Sequence, residues 1–188
     1  MAFSSLFTVL IIIGGYISFP IPLSPVPIVL SDFFVMLAGL VLGAAWGCAS
    51  VGLYLFLGVL GFPVFAGGKA GLAILAGPTG GFLFGYLICA FATGMVSRGI
   101  SIRRNPSKMM FSFFMDLSAL LAGNILLYAA GIPWLKFVLK TTWKESLTLG
   151  LLPFIPGAII KIIFSIILIR SIQPSLTRII VNSSQNKK

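Results

Sequence analysis

Apolar residues run along this chain in long unbroken blocks, separated by Pro, Gly and charged positions rather than by alternation of polar and apolar side chains. The blocks cover residues 3–19, 31–46, 48–61, 79–97, 109–130 and 153–172. A hydrocarbon core of about 30 Å takes roughly 20 helical residues per crossing, and all but the short third block approach that length. Membrane barrels instead show short segments of alternating hydrophobicity. The pattern predicts six spanning helices in one bundle, with both chain ends on the same side.

Composition agrees. Of 188 residues, 59% are hydrophobic and 9% charged, and the mean hydropathy is +1.12. A soluble domain has roughly a quarter of its residues charged, so the solvent for most of this surface must be lipid. The chain reads as an all-α integral membrane protein, one transmembrane domain over 1–188. The first block lacks a basic start and a small-x-small cleavage site, so it is expected to stay as a span. Cys48 and Cys89 fall at a span junction and mid-span and read as inert buried thiols.

Basic residues orient the bundle. Arg98, Arg103, Arg104 and Lys108 follow the fourth block, and Arg170, Arg178, Lys187 and Lys188 close the chain. Six spans put both groups on one side, against Lys69, Lys136, Lys140 and Lys144 on the other. The positive-inside rule then places both termini in the cytoplasm. The net charge of +10 is accounted for by topology and headgroup contact, without a nucleic-acid partner.

The outward segments are unusual. "FPIPLSPVPIVL" carries Pro20, Pro22, Pro25 and Pro27, which forbid helix and enforce extended backbone. Its other side chains are too apolar for a solvated loop, so it should pack back into protein at membrane depth. In "GFPVFAGGKAGLAILAGPTGGF", Gly61, Gly67, Gly68, Gly71, Gly77, Gly80 and Gly81 crowd together. Helix packing through small residues is one use of such glycines; their outward position favours a lid or cavity wall. The fragment is no phosphate loop, because Pro63 and Ala70 stand where Gly and Ser or Thr are needed. Lys136, Lys140 and Lys144 at i, i+4 and i+8 predict one basic stripe on an interfacial helix resting on lipid headgroups.

Ionisable groups within spans are costly and usually face the bundle interior. Here they are Asp116, Lys161 and Arg170. Asp116 lies deep enough to neutralise Arg170 or another basic group near the cytoplasmic face. Lys161 falls about 12 Å below the outer edge of its span at 1.5 Å per residue, with no acidic residue expected at its depth. A buried unpaired ammonium demands a partner. A ligand carboxylate would supply it, with Asn124 and Tyr128 as hydrogen-bonding neighbours; snorkelling outward or bonding backbone carbonyls is the alternative. There is no histidine, and only three residues are acidic. Metal sites, acid–base catalysis and ATP hydrolysis are therefore not expected: the chain reads as a binder or conduit and not an enzyme, without cofactor.

Three stretches carry a resemblance: 21–87, centred on "FPVFAGGKAGLAILAGPTGG"; "YAAGIPWL" at 128–135; and "LPFIPGAIIKI" at 152–162. Together they resemble the BioY family of biotin transporters, the substrate-capture (S) subunits of energy-coupling factor (ECF) systems. The resemblance implies six helices, a cavity near the outer face, and a loop between spans one and two folding over the ligand. It implies biotin as ligand, a multi-pass place in the bacterial inner membrane, and a separate ECF coupling subunit with ATPases as partners. A stand-alone carrier of the same fold for biotin or a related small carboxylate is the alternative. Lys161, Asn124, Thr79, Tyr128, Lys69 and Tyr86 are the expected ligand-binding residues. The family's last motif reads "PGD..K", whereas this chain has Ala158 in place of the Asp. Asn124, Thr79 or a backbone carbonyl of the Gly-rich loop would have to supply the missing acceptor. In span one, Ser4, Thr8, Gly14 and Ser18 are the small residues available for contact with a coupling subunit.

Overall fold

The computed structural model describes residues 2–22, 24–97 and 109–185. Arg98, Arg103, Arg104, Lys108, Lys187 and Lys188, on which the orientation count rests, lie outside the described residues. The elements are α1 (Ala2–Tyr16), β1 (Ser18–Ile21), β2 (Ser24–Val29), α2 (Ser31–Val59), α3 (Leu72–Ala76), α4 (Gly80–Ser97), α5 (Met109–Leu139), α6 (Trp143–Gly150) and α7 (Ile155–Gln185), with short 3₁₀ turns at Ala66–Gly68 and Leu152–Phe154.

By length and apolarity, four runs could each cross a bilayer: Ser31–Val59, Gly80–Ser97, Phe111–Leu139 and Trp143–Ser171. The first is not one rod. Gly43 leaves helical geometry at φ 80°, ψ 179°, a left-handed φ that glycine adopts without a Cβ penalty. Beyond it the chain doubles back: a Cβ on Gly47 would lie 3.2 Å from the Cα of Gly39. Residues eight apart in an unbroken helix are separated by about 12 Å. Residues 31–42 and 44–59 are therefore two antiparallel arms, and with α1, α4, α5 and α7 they make six long helical segments among the described residues. The sequence reading had the break at residue 47. Gly47 is instead spent on close contact between the arms, and Gly43 makes the turn.

Helix α4 packs into this turn. A Cβ on Gly94 would sit 2.5 Å from both the Ala44 Cα and the Gly43 carbonyl carbon, and one on Gly39 would sit 2.7 Å from the Ala90 oxygen. Small residues let backbones approach closely where lipid supplies no hydrophobic drive for helix association. The core then fills with fully buried Ile11, Val35, Leu40, Val51, Tyr54, Phe65, Cys89 and Leu120. Helix α1 is tied to α2 by the Thr8 hydroxyl, which donates to the Ser50 carbonyl at 3.0 Å, and by Ser31, which donates to the Ile11 carbonyl at 2.8 Å. Ser4, Thr8 and Gly14 are buried, so these small residues are spent inside the chain; Phe3, Leu6, Val9 and Ile13 form the exposed face of α1.

The Pro-rich segment is extended as expected and forms a hairpin. Strands β1 and β2 pair antiparallel, Ser18 with Val29 and Ile21 with Ser24, with an irregularity between Phe19 and Ile21. Apart from an isolated Phe65–Lys69 bridge, the remaining regular structure among the described residues is helical. The expected basic stripe is not one helix: α5 ends at Leu139, Lys140 takes a left-handed φ of 54°, and α6 begins at Trp143. The Thr142–Glu145 capping box starts α6 afresh, and it holds the Glu145 carboxyl below its ordinary range by backbone and side-chain hydrogen bonds from Thr142. The Lys136 amine meets the Trp143 ring across the corner, 5.0 Å from its centroid. Toward the other end, Asp116 is buried and the Arg170 guanidinium lies 4.9 Å from the centroid of the Phe113 ring.

Candidate functional site

A cavity of about 210 Å³ opens at the hairpin end of the bundle, between β2, α2, the Gly-rich segment, α4, α5 and the start of α7. Its walls are aromatic: Tyr54, Phe65, Phe82, Tyr86, Tyr128 and Phe154 all line it. Tyr54 meets Phe65 edge-on at 5.5 Å, and Phe82 meets Tyr128 edge-on at 6.2 Å and stacks on Phe154 at 6.4 Å. Edge-to-face and offset contacts of this kind fix ring positions as well as burying area.

The Gly-rich segment builds one wall by close approach. Phe65 lies directly over Gly58, where a Cβ would strike its ring. The Phe65 N–H donates to the Lys69 carbonyl and the Gly68 N–H to the Phe65 carbonyl, both at 2.9 Å, closing a tight turn. Gly67 and Gly68 take φ of 66° and 76° within it. Further on, the Trp134 indole N–H donates to the Gly77 carbonyl at 3.0 Å, and a Cβ on Gly81 would lie 2.6 Å from the Trp134 Cγ. The glycines are thus cavity wall and packing surface at once.

One ion pair is set in the wall. The Lys161 amine donates to Asp32 Oδ1 at 2.7 Å, Asp32 Oδ2 at 2.8 Å and the Val29 carbonyl at 2.7 Å. The two side chains are 11% and 10% exposed. The ammonium is thus paired with the Asp32 carboxylate and the Val29 carbonyl, both within the chain. The expectation that Lys161 lacks an acidic neighbour is therefore overturned. Asp32 sits in the first turn of α2, favourable for a carboxylate at a positive helix end, and accepts from the Phe33 N–H at 3.0 Å.

The pairing is consistent with the depths of the two residues in the folded chain. Asp32 is eleven residues from the Gly43 turn, about 17 Å of helix. With that turn at one edge of a core of about 30 Å, Asp32 lies roughly 13 Å below the other edge. Lys161 is six residues into α7, about 9 Å from the start of its helix. Val29 at the end of the hairpin and Asp32 in the first turn of α2 both meet the Lys161 amine, which places the three at one level.

Of the expected site residues, Lys161, Thr79, Tyr128, Lys69 and Tyr86 all line the cavity. Asn124 is not among the lining residues: it is buried, with its amide nitrogen 2.9 Å from the Met36 sulfur. Thr79 also spends its hydroxyl on the Ile74 carbonyl, at 3.4 Å. Asp32, Tyr54 and Phe65 were not anticipated. Asp32 had one sequence signal: it is the acidic residue directly after the Pro-rich segment that was expected to fold inward.

Comparison with known proteins agrees with this architecture. The BioY family model matches residues 1–178. The chain is 38% identical over 160 residues to the biotin transporter BioY of Thermotoga maritima, covering 85% of this chain and 87% of that one. It is 37% identical over 174 residues to the biotin transporter BioY of Rhizobium etli, covering 92% and 91%. The crystal structure of the S-component for biotin from an ECF-type ABC transporter superposes with a TM-score of 0.79 at 33% identity, covering 92% of this chain and 89% of that one. A multi-pass helical bundle with this hairpin, this glycine-built wall and this degree of likeness has one placement: the chain belongs to the BioY family.

Proposed function

We propose that this chain captures biotin in the hairpin-end cavity and carries it across the bacterial cell membrane. The observation that supports this most is the composition of the cavity: aromatic walls around a single buried Asp32–Lys161 pair with no net charge. Biotin combines an apolar fused ring with a neutral, strongly hydrogen-bonding ureido group and one carboxylate. The rings suit Phe65, Phe82 and Tyr86. The ureido N–H groups suit Asp32, because a carboxylate has about four acceptor sites and Lys161 and Phe33 leave capacity on Oδ2. Thr79 and the Tyr86 and Tyr128 hydroxyls complete the polar set, and Lys161 contributes by holding Asp32 in place.

This assignment also answers the Ala158 departure. Where the family motif has Asp on the last helix, this chain presents a carboxylate from α2 beside the same lysine. That favours biotin over a different small carboxylate.

The termini face the cytoplasm in this proposal, the cavity faces out, and the loaded protein reorients in the membrane. A separate ECF coupling subunit and its ATPases supply the energy. The chain itself performs no reaction.

Calorimetry on the purified protein in detergent tests the ligand. Saturable binding of one biotin per chain is expected, and a flat biotin titration beside a clear signal from another small carboxylate would refute the assignment. Lys161→Ala should weaken biotin binding at least tenfold, because it removes the amine that fixes the Asp32 carboxylate for the ureido group. Lys136→Ala, outside the cavity, should leave it unchanged.

A further inference from the structure

Resting on the biotin reading, the geometry points to Lys69 as the residue that holds the ligand's carboxylate, at the cavity mouth and away from Lys161. Among the described residues two cations line the cavity, Lys69 and Lys161. Lys161 is already neutralised by Asp32 and held by the Val29 carbonyl, and any anion approaching it also meets the Asp32 carboxylate, whose oxygens lie 2.7 and 2.8 Å from the amine. A second carboxylate there would face like-charge repulsion at low dielectric, where such terms are largest. Lys69 differs in each respect. It is exposed, and no carboxylate, hydroxyl or carbonyl among the described residues accepts from its amine.

Its backbone is nonetheless fixed. The Phe65–Lys69 bridge and the two left-handed glycines between them deliver Lys69 from a rigid turn whose other end, Phe65, is 1% exposed and anchored over Gly58. A flexible point charge on a fixed stalk suits a carboxylate at the end of an alkyl chain. Charge balance agrees: Asp32 and Lys161 cancel, so Lys69 leaves the cavity at +1, matched to a monoanion. The ligand then lies with its ring against the buried pair and its carboxylate toward water. Solvent shares the cost of desolvating that charge, and groups attached at the carboxyl end meet an opening rather than a wall.

The test compares biotin with biotinamide, its neutral carboxamide, on wild type and on Lys69→Gln. A charge-assisted contact at an exposed site should be worth roughly tenfold in affinity. Wild type is therefore expected to bind biotin about tenfold more tightly than biotinamide, and Lys69→Gln to bind the two equally, with biotinamide affinity unchanged and Lys69→Arg retaining the preference. If Lys69→Gln keeps the wild-type preference for biotin, or if wild type binds biotinamide a hundredfold or more weakly, the assignment to Lys69 is overturned while biotin capture stands. If wild type binds neither compound, the biotin reading itself fails. Because Lys69 is exposed and its turn is held by backbone bonds, the melting temperature of each variant should match wild type.

Discussion

Asp32→Ala is expected to destabilise the protein by about 3–5 kcal/mol, the usual cost of removing one partner from a buried ion pair and stranding the other. Lys161→Ala should cost a similar amount, because it leaves the Asp32 carboxylate buried beside aromatic walls. The double variant Asp32→Ala/Lys161→Ala should be more stable than either single one, since no uncompensated charge remains. Thermal unfolding of the three proteins in the same detergent would give the coupling energy directly. Additive losses would mean that the 2.7 Å contact contributes nothing as a pair. Binding separates the two roles: the double variant should regain stability without regaining biotin, because the acceptor for the ureido group is gone.

Gly94→Ala is the second large effect. The added methyl would be driven into the backbone of the Gly43–Ala44 turn, with the Ala44 Cα and the Gly43 carbonyl carbon 2.5 Å away. Backbone at a turn clamped between two helices cannot rotate aside as a side chain can. Overpacking of this kind costs about 1–3 kcal/mol, and the upper end is expected here. Gly52→Ala is the matched control, with nothing within 4 Å of the new Cβ. There, replacing glycine in a helix should be neutral or raise stability by several tenths of a kcal/mol. Equal melting temperatures for the two variants would argue against antiparallel arms in α2 packed on α4.

How much of this was legible in the sequence differs from element to element. The spans were, because hydrophobic block length maps onto bilayer thickness. The extended backbone of the Pro-rich segment was too, since four prolines leave little else; its pairing into a hairpin was not. The position of the turn inside α2 was not: Gly43 and Gly47 both lack a Cβ, and the folded backbone, with the left-handed φ of Gly43 and the contact of Gly47 with Gly39, tells which one turns the chain. The basic residues of the α5–α6 corner kept helical spacing across a break that one left-handed Lys140 imposes, which periodicity alone does not reveal.

The candidate site was half legible for a related reason. Thr79, Tyr86, Tyr128, Lys69 and Lys161 reach one cavity because the Gly-rich wall and the outer halves of α4, α5 and α7 converge there. Asn124 is at a suitable depth but faces Met36; depth is readable from span edges, whereas rotation about a helix axis in a chain apolar on every side is not. Asp32 was missed because it begins its apolar block and so reads as lying at the membrane surface. Its pairing with Lys161 shows only in the folded chain.

The most direct test is a structure of the protein loaded with biotin. The account predicts the fused ring among Phe65, Phe82 and Tyr86, a ureido nitrogen within hydrogen-bond distance of Asp32, and the Asp32–Lys161 contact intact beneath it. Biotin seated with its carboxylate on Lys161 and Asp32 turned away, or bound outside this cavity, would contradict it.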